Sequence, residues 1–195
     1  MDIIIKNISK KYNDKVVLDS FNNVFKEKYI SFIMGTSGVG KTTLIRILMN
    51  LDKVDSGEII GINDKKISAV FQENSLCENL SVLSNLKLVC KNINYLEVEK
   101  ALDALDLNDC INKRVRELSG GMKRRVAILR ALLYDFDLLI MDEPFNGLDV
   151  TTKFKVMDFV ISKLENKSAI IITHAMDDIE YFKKHKDLSV DIKII

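Results

Sequence analysis

Tryptophan is absent from this 195-residue sequence, proline occurs once and histidine twice. The three cysteines, Cys77, Cys90 and Cys110, are odd in number and widely spaced, and no CxxC pair is present. This pattern argues against a disulfide framework and against a zinc site. We therefore expect free or buried thiols, as in a protein of the reducing cytosol.

Long apolar runs and a large net charge are also missing. The apolar run at the N-terminus is too short for the hydrophobic region of a signal peptide, and no stretch approaches the roughly 20 apolar residues of a membrane-spanning helix. The formal charge of +1 gives no strong attraction to nucleic acid or anionic lipid. With 47% hydrophobic and 29% charged residues, the composition is typical of a globular protein. A membrane role is therefore expected to depend on a partner.

Short β-rich segments alternate with helical patterns along the chain. Residues 29–34 form an apolar segment that runs into a glycine loop and then into a helical repeat of leucine and isoleucine. Further strands are predicted at 67–71, 138–141 and 169–173, and helices at 122–133 and 151–165. This alternation predicts the α/β class, with a mostly parallel sheet covered on both faces. We expect one domain, 1–195, with an inserted helical subdomain at approximately 73–117.

Each of four predicted strands ends in a glycine loop or a polar residue. The polar residues are Gln72, Asp142 with Glu143, and His174. In open α/β sheets, ligands bind at the carboxyl edge of the strands, so these groups are expected to meet at one site.

The loop GTSGVGKT fits the pattern GxxxxGK[ST], in which glycines let successive N–H groups face phosphate oxygens. The N-terminus of the following helix adds positive potential at the same point. Lys41 is expected to reach the β and γ phosphates, and the Thr42 hydroxyl to ligate Mg²⁺. The predicted nucleotide-binding residues here are Gly35, Thr36, Ser37, Gly38, Val39, Gly40, Lys41, Thr42 and Thr43.

Two adjacent carboxylates end the segment LLIMDE. Asp142 is expected to hold the metal, while Glu143 polarises or deprotonates an attacking water. His174 could contact the γ phosphate and align that water, although a lone histidine is more often structural. Tyr12 could stack on an adenine ring, or it could be an ordinary turn tyrosine.

The segment LSGGM begins a predicted helix, with Ser119, Gly120 and Gly121 at its N-terminus. Three bases, 123–125, follow in the first turn, where positive charge opposes the helix dipole. An anion bound at this end would relieve the conflict. The alternative is a capped helix whose basic side chains face solvent.

Taken in order, Tyr12, GTSGVGKT, Gln72, LSGGM, LLIMDEP, GLD and His174 resemble the nucleotide-binding domain of ATP-binding cassette (ABC) transporters. The resemblance spans nearly the whole chain, and the LSGG signature is specific to that family. It implies a P-loop NTPase fold with an N-terminal antiparallel β-subdomain, and an ATPase that uses ATP and Mg²⁺. It also implies that Gln72 joins Thr42 and Asp142 at the metal and takes part in catalysis.

The same resemblance implies two partners. The first is a second nucleotide-binding subunit in a head-to-tail dimer, here a homodimer, in which the loop of one subunit and residues 119–121 of the other enclose each ATP. Asp149 would lie at the subunit boundary and contribute to nucleotide binding. The second partner is a transmembrane permease that inserts a helix after Gln72, so the chain is expected in the cytoplasm, on the inner face of the membrane.

Some features depart from the family pattern or narrow it. Met122 stands where the signature more often has glutamine. Residues 61–71 form a short segment, which predicts a trimmed β-subdomain. The sequence ends soon after the helix that follows His174, which predicts no regulatory domain. The peptides VFQEN, LSGGMKRRVA and DEPFNGLD resemble ATPases of nitrate, sulfonate and taurine importers. An importer is favoured over an exporter because no GExG element precedes the signature.

Other nucleotide-dependent functions fit less well. A soluble ABC ATPase acting on nucleic acid or ribosomes is the main alternative, but such proteins carry long heptad insertions or two cassettes. The near-neutral charge also disfavours nucleic-acid binding. A GTPase would be expected to carry NKxD, and a small kinase leaves LSGG unexplained.

Overall fold

The computed structural model describes residues 1–90 and 93–195, which form two sheets and six α-helices. The strands are β1 (Ile3–Tyr12), β2 (Lys15–Phe25), β3 (Tyr29–Met34), β4 (Ser56–Ile60), β5 (Ile67–Val70), β6 (Leu138–Asp142), β7 (Ser168–Ile172) and β8 (Ser189–Ile194). The helices are α1 (Lys41–Leu48), α2 (Val82–Lys87), α3 (Tyr95–Ala104), α4 (Gly120–Leu133), α5 (Val150–Ser162) and α6 (Met176–Lys183). Within these described ranges, no helix has the length and apolarity needed to cross a bilayer.

Five strands form a parallel sheet in the order β5-β6-β7-β3-β8. Their carboxyl ends therefore lie at a single edge. In the register of the central strands, Ile172 pairs with both Ile33 and Asp142. The loops that follow β3, β5, β6 and β7 meet at this edge, as the strand pattern predicted.

Both faces of the parallel sheet are buried. Leu138 and Ile140 of β6 pack with α1 and the N-terminal strands. Leu139 and Met141, pointing to the opposite face, pack with α4, α5 and α6. This two-sided burial explains why β6 is apolar at consecutive positions rather than alternating with polar residues.

The second sheet is antiparallel, in the order β2-β1-β4, and covers α1. This confirms the expected N-terminal antiparallel sheet. Strand β4 was not predicted because Ser56, Gly57 and Glu58 precede its two isoleucines, so it has no apolar run to mark it. Tyr12 is the last residue of β1 rather than part of a turn.

The segment predicted as a helical subdomain, 73–117, contains α2, α3 and a 3-10 turn at Val115–Glu117, joined by turns. Its apolar side chains belong to the same core cluster as those of α4 and the parallel sheet. The buried Asn85 binds the main-chain N–H and carbonyl of Cys77, which orders the stretch after Gln72. The limits of the subdomain stay a prediction.

Several element ends differ from the sequence-based prediction by one to three residues. Helix α4 starts at Gly120, two residues earlier than predicted, because Ser119 caps it by accepting from the N–H of Met122 at 3.3 Å. Helix α5 ends at Ser162 instead of residue 165, and β5 ends at Val70 instead of residue 71.

Candidate functional site

The carboxyl edge of the parallel sheet forms an open cavity of about 650 Å³. That volume lies in the range of small-molecule sites. The predicted residues that line it are Tyr12, Ser37, Gly38, Gly40, Lys41, Thr42, Thr43, Gln72, Asp142, Glu143 and His174. Sequence reasoning missed five other lining residues, which are Asn13, Lys15, Val17, Asn146 and Ile172. The lining does not include Gly35, Thr36, Val39, Ser119, Gly120, Gly121 or Asp149.

The glycine loop needs glycine for its backbone shape. Gly38 and Gly40 have φ angles of 81° and 111°, in the left-handed region that side chains disfavour. A Cβ at Gly40 would also lie 2.9 Å from the carbonyl oxygen of Val17. Because Gly40 has no side chain to cap α1, the first N–H groups of that helix are left for an external acceptor. This geometry is a preformed anion site.

Lys41 is buried against the same loop. Its Nζ donates to the carbonyl oxygens of Gly35 and Thr36, both at 2.8 Å. Two of the three donors of the ammonium group are therefore occupied by the loop, which holds the charge at the N-terminus of α1. Gly35 and Thr36 thus contribute through their main chain rather than as lining residues.

Thr42 and Asp142, 100 residues apart in sequence, are in direct contact. The Thr42 hydroxyl donates to Asp142 Oδ2 at 3.1 Å. The residue Asp142 is 4% exposed, and this burial raises the pKa of its carboxyl, opposed by the bond from Thr42 and by nearby positive charge. Together with the Gln72 side chain in the same cavity, these are hard oxygen donors of the kind that Mg²⁺ prefers. A cation there would also compensate the buried carboxylate, so the residues fit the metal.

Glu143 follows β6 in a strained conformation, with φ at 46°. Its N–H donates to the Ile172 carbonyl at 3.0 Å, and its Oε2 accepts from Asn146 at 3.3 Å. Oε1 lies 3.2 Å from Nε2 of His174 but, among the described residues, has no aligned hydrogen-bond donor. Burial raises the pKa of this carboxyl, against the opposing charge of His174. Oε1 is therefore a buried acceptor without a hydrogen-bond donor among the described residues, next to the imidazole of His174.

His174 is half exposed beside Glu143, which is unlike a histidine buried for structural reasons. The loop that carries it is fixed by Thr173, whose hydroxyl donates to Asp178 at 3.1 Å and accepts from the N–H of Ala175 at 3.1 Å. Asp178 is also paired with Lys153 of α5. These contacts hold the histidine at the edge of the cavity.

Tyr12 is held by a network that the sequence did not indicate. Its hydroxyl donates to Asp52 at 2.8 Å, and Asp52 also accepts from Nε of Arg46 at 2.8 Å. Burial, and then the bond to Asp52, raise the pKa of Tyr12. Since Arg46 lies on α1, the tyrosine ring is tied to the helix that follows the glycine loop. Tyr12 is 41% exposed, and Nζ of Lys10 lies over its ring at 5.3 Å from the centroid.

Four predicted site residues lie away from the cavity. Ser119 caps α4, and a Cβ placed on Gly120 would meet no atom within 4 Å. A Cβ placed on Gly121 would make only ordinary van der Waals contact, with its nearest atom 3.8 Å away. Asp149 caps α5 by accepting from the N–H of Thr152 at 3.0 Å. A single chain therefore does not bring these residues to the glycine loop.

The three bases in α4 have protein partners, so the alternative of basic side chains that all face solvent is wrong, whereas an anion at the helix start stays a prediction. Lys123 pairs with Glu78 at 2.9 Å, and Arg125 donates to carbonyls at the end of α3. Arg124 is 5% exposed and donates to carbonyls of the two loops beside the cavity. Protein groups thus account for all three charges. Neither an anion at the helix start nor an orientation toward solvent is needed to explain them.

Sequence comparison places these features in a known family. A profile of the ABC transporter family matches residues 18–146. The chain is 33% identical over 192 residues to the spermidine/putrescine import ATP-binding protein PotA of Spiroplasma citri, covering 89% of this chain and 55% of that protein. It is 34% identical to the protein of the same name in Mycoplasma capricolum, covering 89% and 54%. The chain spans about half the length of these curated relatives.

Structural comparison agrees. A dimeric ATP-binding cassette in a post-hydrolysis state, bound to ADP and Pi, superposes with a TM-score of 0.80 at 29% identity, over 92% of this chain and 90% of that one. An ATP-bound bacterial Atm1-family exporter superposes with a TM-score of 0.81 at 23% identity, over 91% of this chain and 35% of the exporter, and so shares the fold. From the profile match over most of its length, together with the glycine loop, the LSGG helix and the Asp-Glu strand end, this chain belongs to the ABC transporter family.

Proposed function

We propose that this chain binds ATP with Mg²⁺ and hydrolyses it. The observation that carries the proposal is the meeting of three groups at one edge: the glycine loop with Lys41, the Thr42–Asp142 pair, and Glu143 beside His174. Import ATP-binding relatives and the solved cassette bound to ADP and Pi support it.

Each group has a chemical task in this proposal. The N–H groups at the start of α1 and the Lys41 ammonium bind the β and γ phosphates. Thr42, Asp142 and Gln72 would hold Mg²⁺, which supplies charge neutralisation on the phosphates when bound. The Glu143 carboxylate accepts the proton of the attacking water, and its raised pKa makes it a stronger base than an ordinary carboxylate. His174 holds Glu143 and the water in register, and Tyr12 stacks on the base.

We propose further that the working unit is a head-to-tail homodimer. Residues 119–121 of one copy would complete the phosphate site of the other, with Asp149 at the subunit boundary. Two observations support this arrangement. The residues do not line the cavity of their own chain, Gly120 has open space beside it, and the similar solved cassette is a dimer.

The third part of the proposal concerns transport. We propose that the chain lies in the cytoplasm against the inner face of the membrane, where it powers a separate transmembrane permease, as an importer rather than an exporter. The names of the PotA relatives support import. The peptide resemblance to nitrate, sulfonate and taurine importers has no counterpart among those names, so the proposal is limited to import. The alternative role on nucleic acid or ribosomes gains no support from them.

Phosphate release from ATP tests the enzymatic part. The purified chain is expected to release phosphate with ATP and Mg²⁺, and to stop when EDTA removes the metal. Transport is tested by expressing the chain with a candidate permease and isolating membranes. Recovery of the chain with the permease is expected. Recovery only in the soluble fraction, with phosphate release intact, would contradict the transport part alone.

The raised carboxyl pKa values predict that ATPase activity falls at low pH. Asp142 and Glu143 must both be ionised, one to hold the metal and the other to accept a proton, and burial raises the pKa of each. Activity should therefore fall, as the pH is lowered, at a pH above the value of about 4 at which free carboxyls titrate. The measurement is kcat/KM for ATP at saturating Mg²⁺ between pH 4 and pH 8, with circular dichroism at each pH to check that the chain stays folded. A loss of activity centred at or below about pH 4 would contradict the assignment.

A further inference from the structure

Arg124 lies in the second turn of α4 and is buried beneath the cavity. All of its donor nitrogens point to main-chain carbonyls in two loops, one after β5 and one after β6. Its Nε donates to Pro144 at 2.8 Å, Nη2 to Asp142 at 2.9 Å and to Glu143 at 2.7 Å, and Nη1 to Phe71 and, at 3.3 Å, to Gln72.

No carboxylate among residues 1–90 and 93–195 lies within ion-pair distance of this guanidinium. Burial lowers the pKa of Arg124, and the charges of Asp142 and Glu143 oppose that fall. Burying a charge without a close counter-charge costs free energy. For Arg124, the hydrogen bonds that its planar guanidinium donates to several carbonyls offset this cost. The contacts bridge two neighbouring strand ends at the point where Gln72 and Glu143 emerge.

We propose that Arg124 is a positioning residue for hydrolysis, which holds the main chains of Gln72 and Glu143 at a fixed spacing and ties both to the start of α4. The inference rests on the proposed ATPase function. The backbone of Glu143 shows why these contacts of Arg124 are needed. Its left-handed backbone is held on the N–H side by Ile172 and on the carbonyl side by Arg124. Without the second contact, the strained residue can relax away from the water.

The contacts of Arg124 could also transmit a movement of α4, caused by the other subunit, to the catalytic loops. Residues 119–121 begin the helix that carries Arg124 one turn later. When these residues engage nucleotide held by the other copy, any shift of α4 is passed through the guanidinium to Gln72 and Glu143. Hydrolysis is then coupled to dimer closure through one side chain. The neighbouring Arg125 makes no such link, because it binds the carbonyls of Leu105 and Asp106.

The test compares Arg124→Gln and Arg124→Lys with Arg125→Gln. Arg124→Gln should lower kcat by about 10- to 100-fold, the scale on which a small misplacement of a catalytic group acts. The Kd for ATP, measured without Mg²⁺, should change less than about threefold, because no contact to the phosphate loop is lost. Arg125→Gln, which removes the same type of side chain from the same helix, should retain kcat within about threefold.

The lysine variant separates charge from geometry. Arg124→Gln removes both the positive charge and the contacts to the two loops. Arg124→Lys keeps the charge, yet kcat should stay low because a single ammonium cannot span the two loops. A purely structural role would lower thermal stability without separating a fall in kcat from an unchanged Kd for ATP.

The outcomes are distinct. Wild-type kcat in a folded Arg124→Gln chain would overturn the positioning role, as would an equal loss in Arg125→Gln. If Arg124→Gln does not fold, the folded Arg124→Lys chain decides, and a wild-type kcat there overturns the proposal. A wild-type chain that releases no phosphate contradicts the proposed function instead, before any variant is compared.

Discussion

Glu143→Gln is expected to lower kcat for ATP hydrolysis by about a hundredfold or more, the scale of positioned acid-base groups. The amide has nearly the shape of the carboxylate and can still meet Asn146 and His174, but it cannot accept a proton. ATP affinity should be unchanged, because the phosphate contacts come from the loop and Lys41. The measurement is single-turnover hydrolysis alongside equilibrium ATP binding.

The same variant tests the dimer. Because ATP is bound and not consumed, Glu143→Gln with ATP and Mg²⁺ should elute as a dimer in gel filtration, whereas the nucleotide-free chain should elute as a monomer. Glu165→Gln, a substitution of an exposed carboxylate away from the cavity, serves as the matched control and should hydrolyse ATP at the wild-type rate. Wild-type turnover in Glu143→Gln would remove this residue from the mechanism. A monomer in the presence of ATP, with or without its natural permease, would contradict the head-to-tail proposal.

Lys41→Ala is expected to weaken ATP binding itself. Hydrogen bonds to charged groups contribute about 1.5–3 kcal/mol each, which corresponds to roughly a 10- to 100-fold rise in Kd at 1.4 kcal/mol per tenfold. The substitution also removes the two bonds to the carbonyls of Gly35 and Thr36, so the loop loses order as well as charge. Equilibrium binding of ATP, measured by calorimetry, gives the change.

Two further variants separate these effects. Lys41→Arg keeps the charge, but the planar guanidinium cannot fold back on the loop as the ammonium does, so an intermediate Kd is expected. Lys186→Ala removes an exposed lysine in the turn before β8, which does not line the cavity, and should leave Kd unchanged. ATP binding by Lys41→Ala at wild-type affinity would show that the lysine does not contact the phosphates.

Much of the candidate site was readable from local patterns. The backbone shape of the glycine loop depends on φ angles that Gly38 and Gly40 supply without help from distant residues. The start of α1 follows directly from the loop. The polar residues after apolar strands were expected at one edge because parallel strands share a direction, and the sheet order brings Gln72, Asp142 and His174 there.

Other features depended on which elements pack together. Spacing could not indicate that Thr42 meets Asp142 at 3.1 Å, nor that Asp52 holds Tyr12, because these pairs are joined by the register of the sheets and by α1. Strand β4 was missed for the same reason, since it is recruited by pairing with β1 rather than by an apolar run.

Arg124 shows most clearly which features local sequence determines and which depend on tertiary packing. Local patterns predict where a chain turns and where a helix starts, because those depend on the conformational preferences of adjacent residues. They correctly located the helix behind LSGG and its three bases. The partners of those bases lie up to 53 residues away in sequence and become neighbours only when β5, β6 and α4 pack. A long side chain binds the acceptors that tertiary packing brings within its reach. Its role therefore follows from the packing of the elements and not from the order of residues in the sequence.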